Sequence, residues 1–409
     1  MPLEAFVVAV ARTPVGRKNG GLREWHPADL GAVAVDEAVR RSKVPPSAID
    51  DVIVGCVGQY GAQAGNIGRS VVLSSKMLPE SVPGVSVDRR CGSSLEAVMF
   101  AVNGVKSGTQ HIVVAAGVEM MSLVPMGSST ADSVNNEPSR GTPWQDNKGF
   151  KAKYGPRMQQ LGLEQPTNLS GGEQVAKKYK MTRQELDEVA VQSHARAAAA
   201  AKAGFFKNEI VPVAGVDKEG KPITVSADEG IRAGTTLEAL SKLKVLSTNG
   251  LLTAGTASQI SDGAAAVVIA SAEAVKKYNL TPLARIVSMA LVGCDPVVML
   301  EGPVFAAQKV LAQAKLTIDQ MDLYEVNEAF ASVPLAFQKA NKADLRKLNV
   351  NGSAIALGHP LGATGCRLFT SLVGEMERRK AKYGLIAICH AAGTANAMII
   401  ERVPHDSKL

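Results

Sequence analysis

Short apolar runs and amphipathic stretches alternate from the start of the chain. Val7-Val8-Ala9-Val10-Ala11 predicts a buried strand, and Asp29-Leu30-Gly31 opens a stretch with Val33, Ala34, Val35, Ala38 and Val39 at helical spacing. Asp51-Val52-Ile53-Val54-Gly55-Cys56 predicts a second strand, followed by a Gly-rich loop to Gly68, a helix over Val71 to Met77 and a third strand from Val82 to Val87. After Arg90-Cys91-Gly92-Ser93-Ser94, the residues Leu95, Val98, Met99, Val102 and Val105 repeat at helical spacing, and His111 to Ala116 reads as the next strand. Cys91 is therefore expected at a strand-to-helix turn.

From about Ser122 to Gly250 the pattern loosens into Gly, Pro, Asn, Gln and Lys, with one long helix between Thr182 and Ala203 and a few short pieces, as expected of an inserted loop or lid domain. A strand at Ala264 to Ile269 resumes the apolar rhythm, and after Leu283 the opening pattern returns. Ile318-Asp319-Gln320-Met321-Asp322-Leu323-Tyr324-Glu325-Val326 echoes Ala48 to Val54, and Val350-Asn351 enters a Gly-rich turn as Val87-Asp88 does. A helix with Phe369, Leu372, Val373 and Met376 on one face follows, then a strand at Gly384 to Ile388. The chain is read as α/β with two duplicated βαβ halves: 1–121 completed by 251–272, a loop domain at 122–250, and a second half at 273–409.

Composition narrows the picture. With 409 residues, 46% of them apolar, the chain can bury a sizeable core, and no apolar run reaches the ~18 residues of a membrane span. The start, Met1-Pro2-Leu3-Glu4, carries no basic leader, so the expectation is an unsecreted protein. Five cysteines without CxxC spacing argue against a disulfide framework or a structural metal. Net charge is +7, and residues 140–244 hold 17 Lys and Arg against 12 Asp and Glu. With only 4% aromatic residues and no basic helix, nucleic acid is not the expected partner. A small phosphorylated ligand fits the basic segment; a surface charged for solubility fits it equally well.

Four strand-to-helix turns carry the candidate chemistry, because N–H groups and helix dipoles converge at such places. Cys91 would gain a lowered pKa from the helix N-terminus and from Asp88-Arg89-Arg90, which makes it the best nucleophile, against the alternative of an inert buried thiol. His359, in Gly358-His359-Pro360-Leu361-Gly362, is a base or oxyanion donor, or else a solvated loop histidine. Asn327-Glu328 would hold a water or an oxyanion, or cap a strand end. Cys389 closes a core strand, where an inert thiol is the default.

Taken together the sequence resembles the thiolase family along nearly its whole length. The resemblance rests on Asp88 to Ser94, Gly117-Val118-Glu119-Met120-Met121-Ser122, Thr253-Ala254-Gly255-Thr256-Ala257-Ser258, Ser261 to Ala266, Asn327-Glu328-Ala329-Phe330 and Asn351 through Gly365, in family order and spacing. It implies a layered α-β-α-β-α fold with a loop domain over the site, assembled as a homodimer or homotetramer. It implies thiolytic cleavage of 3-ketoacyl-CoA by coenzyme A, as in fatty-acid β-oxidation, with coenzyme A as co-substrate and no permanently bound cofactor. Cys91 would be the nucleophile, His359 its activator, Asn327 the holder of an oxyanion water and Cys389 the second acid and base. Backbone N–H groups of Cys91 and Ala391 would hold the tetrahedral oxyanion, Ser258 would touch the pantetheine arm and Arg232 would lie beside the adenine.

Two departures carry weight. Cys389-His390-Ala391-Ala392-Gly393 stands where the family usually has Cys-x-Gly-Gly-Gly, so the methyl of Ala391 is expected to disturb the second oxyanion hole. Thr167-Asn168-Leu169-Ser170 lacks the His-Met pair of short-chain biosynthetic thiolases, which favours a degradative enzyme. The competing readings are an acetoacetyl-CoA thiolase run for synthesis, a condensing enzyme working on acyl carrier protein, and an idle acyl-CoA-binding relative. Ser407-Lys408-Leu409 spells a peroxisomal address, read by the import receptor or present by accident in a cytoplasmic protein.

Overall fold

A computed structural model describes residues 3–129 and 147–404; Ser407-Lys408-Leu409 lies outside the described residues. The first half contains β1 (Ala5–Arg12), β2 (Gly16–Arg17), α1 (Pro27–Ser42), β3 (Asp51–Gly55), α2 (Ile67–Ser74), β4 (Gly84–Val87), α3 (Ser93–Ser107) and β5 (Ile112–Met120). A covering segment follows with α4 (Lys148–Gln160), α5 (Asn168–Lys178), α6 (Arg183–Ala203), β6 (Val213–Val216), β7 (Pro222–Val225) and α7 (Leu237–Ser241). Then come β8 (Ser261–Ser271), α8 (Ala272–Lys277), β9 (Ala284–Gly293), α9 (Gly302–Ala314), β10 (Leu323–Val326), α10 (Ser332–Asn341), α11 (Ala354–Leu357), α12 (Thr364–Arg379), β11 (Tyr383–His390) and β12 (Thr394–Arg402).

The strand order shows the duplication. One half runs β4-β3-β5-β8-β1 and the other β10-β11-β12-β9, joined where β1 meets β9 through Phe6 opposite Arg285 and Val7 opposite Ala284. In each half the outer strands are parallel and two antiparallel strands follow toward the junction, and a bridge from Tyr324 to Leu348 stands where β4 stands in the first half.

Most of these strands are apolar on both faces because helices cover both. In β8, Ala264, Ala266, Val268 and Ala270 pack outward under α1 and α2, while Ala265, Val267 and Ile269 face α3 and α12. In β11, Leu385, Ala387 and Cys389 face α9 and α10, while Ile386 and Ile388 face the central helices. Period-two alternation thus builds the five α-β-α-β-α layers, each fully buried Val, Leu or Ile contributing about 1.5–3 kcal/mol. The covering segment is tied to β1 by the buried Arg12, 2.9 Å from Glu209 and 2.7 Å from Asp228.

Several elements differ from the sequence reading. Helix α2 begins four residues earlier than expected because the Asn66 side chain accepts from Arg69 N–H at 3.2 Å, capping the helix before its apolar stripe becomes regular. The covering segment holds α4 and α5 as well as the expected long helix, α5 starting from a capping box at Thr167. Strand β11 runs on through Cys389 to His390 and turns into β12, so Cys389 lies inside the sheet.

Candidate active site

The central layer brings the two candidate turns together. Helices α3 and α12 meet at their N-termini so closely that a Cβ on Gly365 would stand 2.2 Å from Leu95 N, and the Cys366 N–H donates to Ser94 Oγ at 2.9 Å. Cys91 sits just ahead of α3, and Thr364 opens α12. Both helix dipoles therefore point at one region.

His359 is buried on the loop before α12. Its Nδ1 lies 2.6 Å from Thr364 Oγ1, and the single hydroxyl proton of Thr364 is given to Pro360 O at 2.8 Å. Thr364 can only accept from the ring, so the proton sits on Nδ1 and Nε2 presents a lone pair. Asn327 Nδ2 lies 3.3 Å from that Nε2. Burial, helped by the Arg367 guanidinium, pushes the His359 pKa down to about 3, so the ring is a neutral base. Asn327 keeps its buried Oδ1 without a partner among the described residues, an acceptor free for a water or substrate proton.

Cys91 departs from the sequence expectation of an acidified thiol. Burial pushes it up to about 11, outweighing Arg90 and the N–H of Ala391, which hydrogen-bonds its sulfur. The thiol therefore holds its proton at rest. Cys389, close enough for its charge state to couple to Cys91, is pushed well above the usual thiol range by burial and so holds its proton too. The expected disturbance at Ala391 falls one residue later: Ala391 lies outside the left-handed region, its N–H reaches Cys91, and Ala392 carries the positive φ of 69°.

Cys91, Ala391 and Ala392 line a cavity of about 390 Å³ with Val57, Met121, Val124, Met126, Pro166, Met299 and Leu361. Ser258 and Arg232 line a second cavity of about 360 Å³ with Arg17, Lys18 and His194. Gln259, which lines this second cavity, accepts through its carbonyl from His359 N–H at 3.2 Å and so ties the cavity wall to the His359 loop. The structure brings Cys91, Ala391 and Cys389 into one group, His359 and Asn327 into another, and Ser258 and Arg232 into a third.

Some contributors were not legible. Thr364 fixes the His359 tautomer, a role its position in a Gly-rich turn hinted at. Glu328 accepts from Ser193 Oγ at 2.7 Å, Asn349 Nδ2 at 3.0 Å and Ile355 N at 3.1 Å, holding the loop that carries Asn327. Glu119 accepts from Val57, Gly58 and Gly362 N–H groups, stitching the two halves at the cavity floor.

Residues 5–273 match the family model described as thiolase, N-terminal domain, and residues 280–402 match thiolase, C-terminal domain. The steroid 3-ketoacyl-CoA thiolase FadA6 of Mycobacterium tuberculosis is 45% identical over 98% of this chain and 94% of its own. A beta-ketoadipyl-CoA thiolase of Acinetobacter baylyi is 42% identical over 98% and 99%. The crystal structure of human mitochondrial 3-ketoacyl-CoA thiolase superposes with a TM-score of 0.87 at 39% identity, covering 98% of this chain and 99% of that one. With both family models matched end to end and the same layered fold in a solved relative, the chain belongs to the thiolase family.

Proposed function

We propose that the protein is a degradative 3-ketoacyl-CoA thiolase that cleaves its substrate with coenzyme A into acetyl-CoA and a shortened acyl-CoA. The reading is carried by one observation: α3 and α12 converge at their N-termini, setting the turn of Cys91, which lines a cavity with Ala391, against the segment leading into α12 that carries neutral His359, partnered by Asn327. Cys91 Sγ attacks the 3-keto carbon while its proton passes to His359 Nε2. A thiol near 11 and an imidazole near 3 do not form a resting ion pair, so this transfer accompanies attack. Backbone N–H groups of Cys91 and Ala391 hold the tetrahedral oxyanion. The C2–C3 bond then breaks, its electron pair forming the acetyl-CoA enolate, whose oxygen is held by protonated His359 and a water on Asn327. Cys389, which keeps its proton, delivers it to C2. The resulting thiolate takes a proton from the second coenzyme A, whose sulfur attacks the Cys91 thioester and expels the Cys91 thiolate, which recovers its proton from His359 Nε2.

Ser258 and Arg232, beside Arg17 and Lys18, suit the pantetheine and nucleotide of coenzyme A, and the basic covering segment supports phosphate binding. The walls around Cys91 include Val57, Met121, Val124, Met126, Met299 and Leu361, which suit a hydrophobic acyl chain, while Arg90 in the same lining suits the dicarboxylic acyl group named for the Acinetobacter relative. A second reading, acetyl-CoA acetyltransferase, is favoured by a Cupriavidus necator relative of that name at 41% identity. The edge strand β4 with exposed Val85, and exposed Phe100 of α3, support a homo-oligomer. The bacterial relatives support a cytoplasmic site over peroxisomal import through Ser407-Lys408-Leu409.

The test is cleavage of acetoacetyl-CoA, a long-chain 3-ketoacyl-CoA and 3-oxoadipyl-CoA by the purified protein and coenzyme A. Fastest loss of the long-chain substrate supports the reading, cleavage confined to acetoacetyl-CoA moves it to the acetyltransferase, and binding without turnover overturns it. Cys91→Ala should abolish acyl-enzyme formation throughout.

A further inference from the structure

The turns that follow the two cysteines are joined by a buried side chain that the chemistry above does not use. His390 lies inside the molecule, one residue past Cys389 at the end of β11. Alternation along the strand turns Cys389 toward α9 and α10 and His390 the other way, toward the N-terminus of α3. There its Nε2 lies 3.1 Å from Asn396 Oδ1 on the adjoining β12, and Asn396 Nδ2 donates to Gly92 O at 3.2 Å. Because the amide spends its N–H on Gly92, its oxygen accepts from the ring, and the proton sits on His390 Nε2. His390 Nδ1 then accepts from Thr394 Oγ1 at 3.0 Å. The contact with the nucleophile turn is tight: a Cβ on Gly92 would stand 1.9 Å from His390 Nε2.

One residue from each cysteine is thus joined by a single relay, from Thr394 through His390 and Asn396 to Gly92. Ala391, the next residue, aims its N–H at Cys91 sulfur, while Ala392 is held at a φ of 69° that an L side chain disfavours. The far end of this turn is fixed by Cys294 N–H donating to Gly393 O at 2.7 Å. A strained turn needs anchors on both sides, and His390 supplies the one at the catalytic end. The charged groups around the relay are Glu96 and Arg89, paired at 3.2 Å, and those acting on the Cys91 sulfur are Arg90 and Glu119.

We infer that His390 is a positioning residue for acyl transfer: through Asn396 and Gly92 it locks the turn bearing the Ala391 N–H against the turn bearing Cys91, without touching substrate. The inference concerns the assembly of the site proposed above, so it rests on that reading for its kinetic consequence. Its effect on the Cys91 thiol is independent of any turnover. Losing the aimed N–H removes a stabiliser of the thiolate and of the oxyanion together.

The experiment is iodoacetamide labelling of the full-length protein across pH, read at the Cys91 peptide by mass spectrometry, alongside kcat and KM for thiolysis. His390→Ala should raise the pH midpoint of Cys91 labelling by about one unit and lower kcat by about a hundredfold, with KM for coenzyme A unchanged. His390→Gln, whose amide can again donate to Asn396, should restore most of both. Thr394→Val, a near-isosteric change, should move the midpoint the same way by less and serves should His390→Ala fail to fold. An unmoved midpoint in Thr394→Val and in folded His390→Ala, or equal defects in the Ala and Gln variants, would overturn the inference. A wild type that does not cleave ketoacyl-CoA would overturn the proposed function alone, since the labelling shift is read without turnover.

Discussion

At the scale of single residues the proposed chemistry depends on proton placement. His359 is useful because Thr364 spends its only proton on Pro360 and leaves the ring lone pair at Nε2. Thr364→Val should therefore lower kcat by about ten- to a hundredfold with little change in KM, while Thr364→Ser, which keeps the hydroxyl, should stay within about threefold; steady-state kinetics of the pair separates the hydroxyl from mere packing. Ala392 makes a different prediction, because its left-handed φ costs about 1 kcal/mol. Ala392→Gly should raise the free energy of unfolding in urea by a few tenths to about 1 kcal/mol. Candidate residues were legible here and their electrostatics were not. Cys91 was expected to be acidic from its flanking arginines, but burial is set by α12 and the loop at Ala391, which lie hundreds of residues away in the chain. The strain expected at Ala391 falls on Ala392 for the same reason: the register of a turn after a strand depends on where the strand ends, and β11 ends at His390.

At the scale of elements the site depends on two helices touching end to end. Gly365 begins α12 against the backbone of α3, where a methyl would stand 2.2 Å from Leu95 N and 2.8 Å from Leu95 Cβ. Neither is the flexible end of a side chain, so Gly365→Ala must part the helices. It should cost about 2–3 kcal/mol and reduce activity in the molecules that remain folded, whereas Gly155→Ala in α4, whose Cβ meets nothing within 4 Å, should be neutral or gain up to about 1 kcal/mol; denaturant melts of the two variants make the comparison. The repeat behind this geometry was readable because β3 and β10 are each a short apolar run following a one-turn 3-10 helix, at Pro46–Ala48 and Ile318–Gln320. Helices α4 and α5 were not readable, since α4 buries only Met158 and both carry Gly and polar residues that a stripe of apolar positions does not reveal. Their starts are marked instead by side-chain caps at Asn147 and Thr167.

At the scale of the molecule, the covering segment reaches both the Asn327 loop and the second cavity through one turn of α6. Ser193 there holds Glu328 beside Asn327, and His194 Nδ1 accepts from Arg232 N–H at 3.1 Å in the cavity proposed for coenzyme A. His194 is pushed down to about 4 by burial and the nearby Arg232, and His390 to about 4 by burial, with His359 lower still. Their ordinary value is 6.5, so between pH 6.5 and about 4 the unfolded chain binds protons that the folded chain refuses, and stability falls as pH falls. The buried Glu119, Glu209, Glu325 and Glu328 oppose this trend, because burial raises their pKa and the folded state holds their protons more readily. The net curve of the wild type therefore mixes both signs, and one histidine must be isolated by difference. His194→Asn keeps an acceptor for the Arg232 N–H while removing the titration. Above pH 7 it should bind coenzyme A within about threefold of wild type, whereas His194→Ala, which frees the Arg232 loop, should weaken binding by about tenfold. Below pH 6.5 the stability of wild type relative to His194→Asn should decline by up to about 1.4 kcal/mol per pH unit, flattening near pH 4. Urea unfolding of the two proteins at half-unit pH intervals reads that slope directly. Parallel curves would mean that His194 is protonated in the folded state, with the Arg232 N–H held by another acceptor.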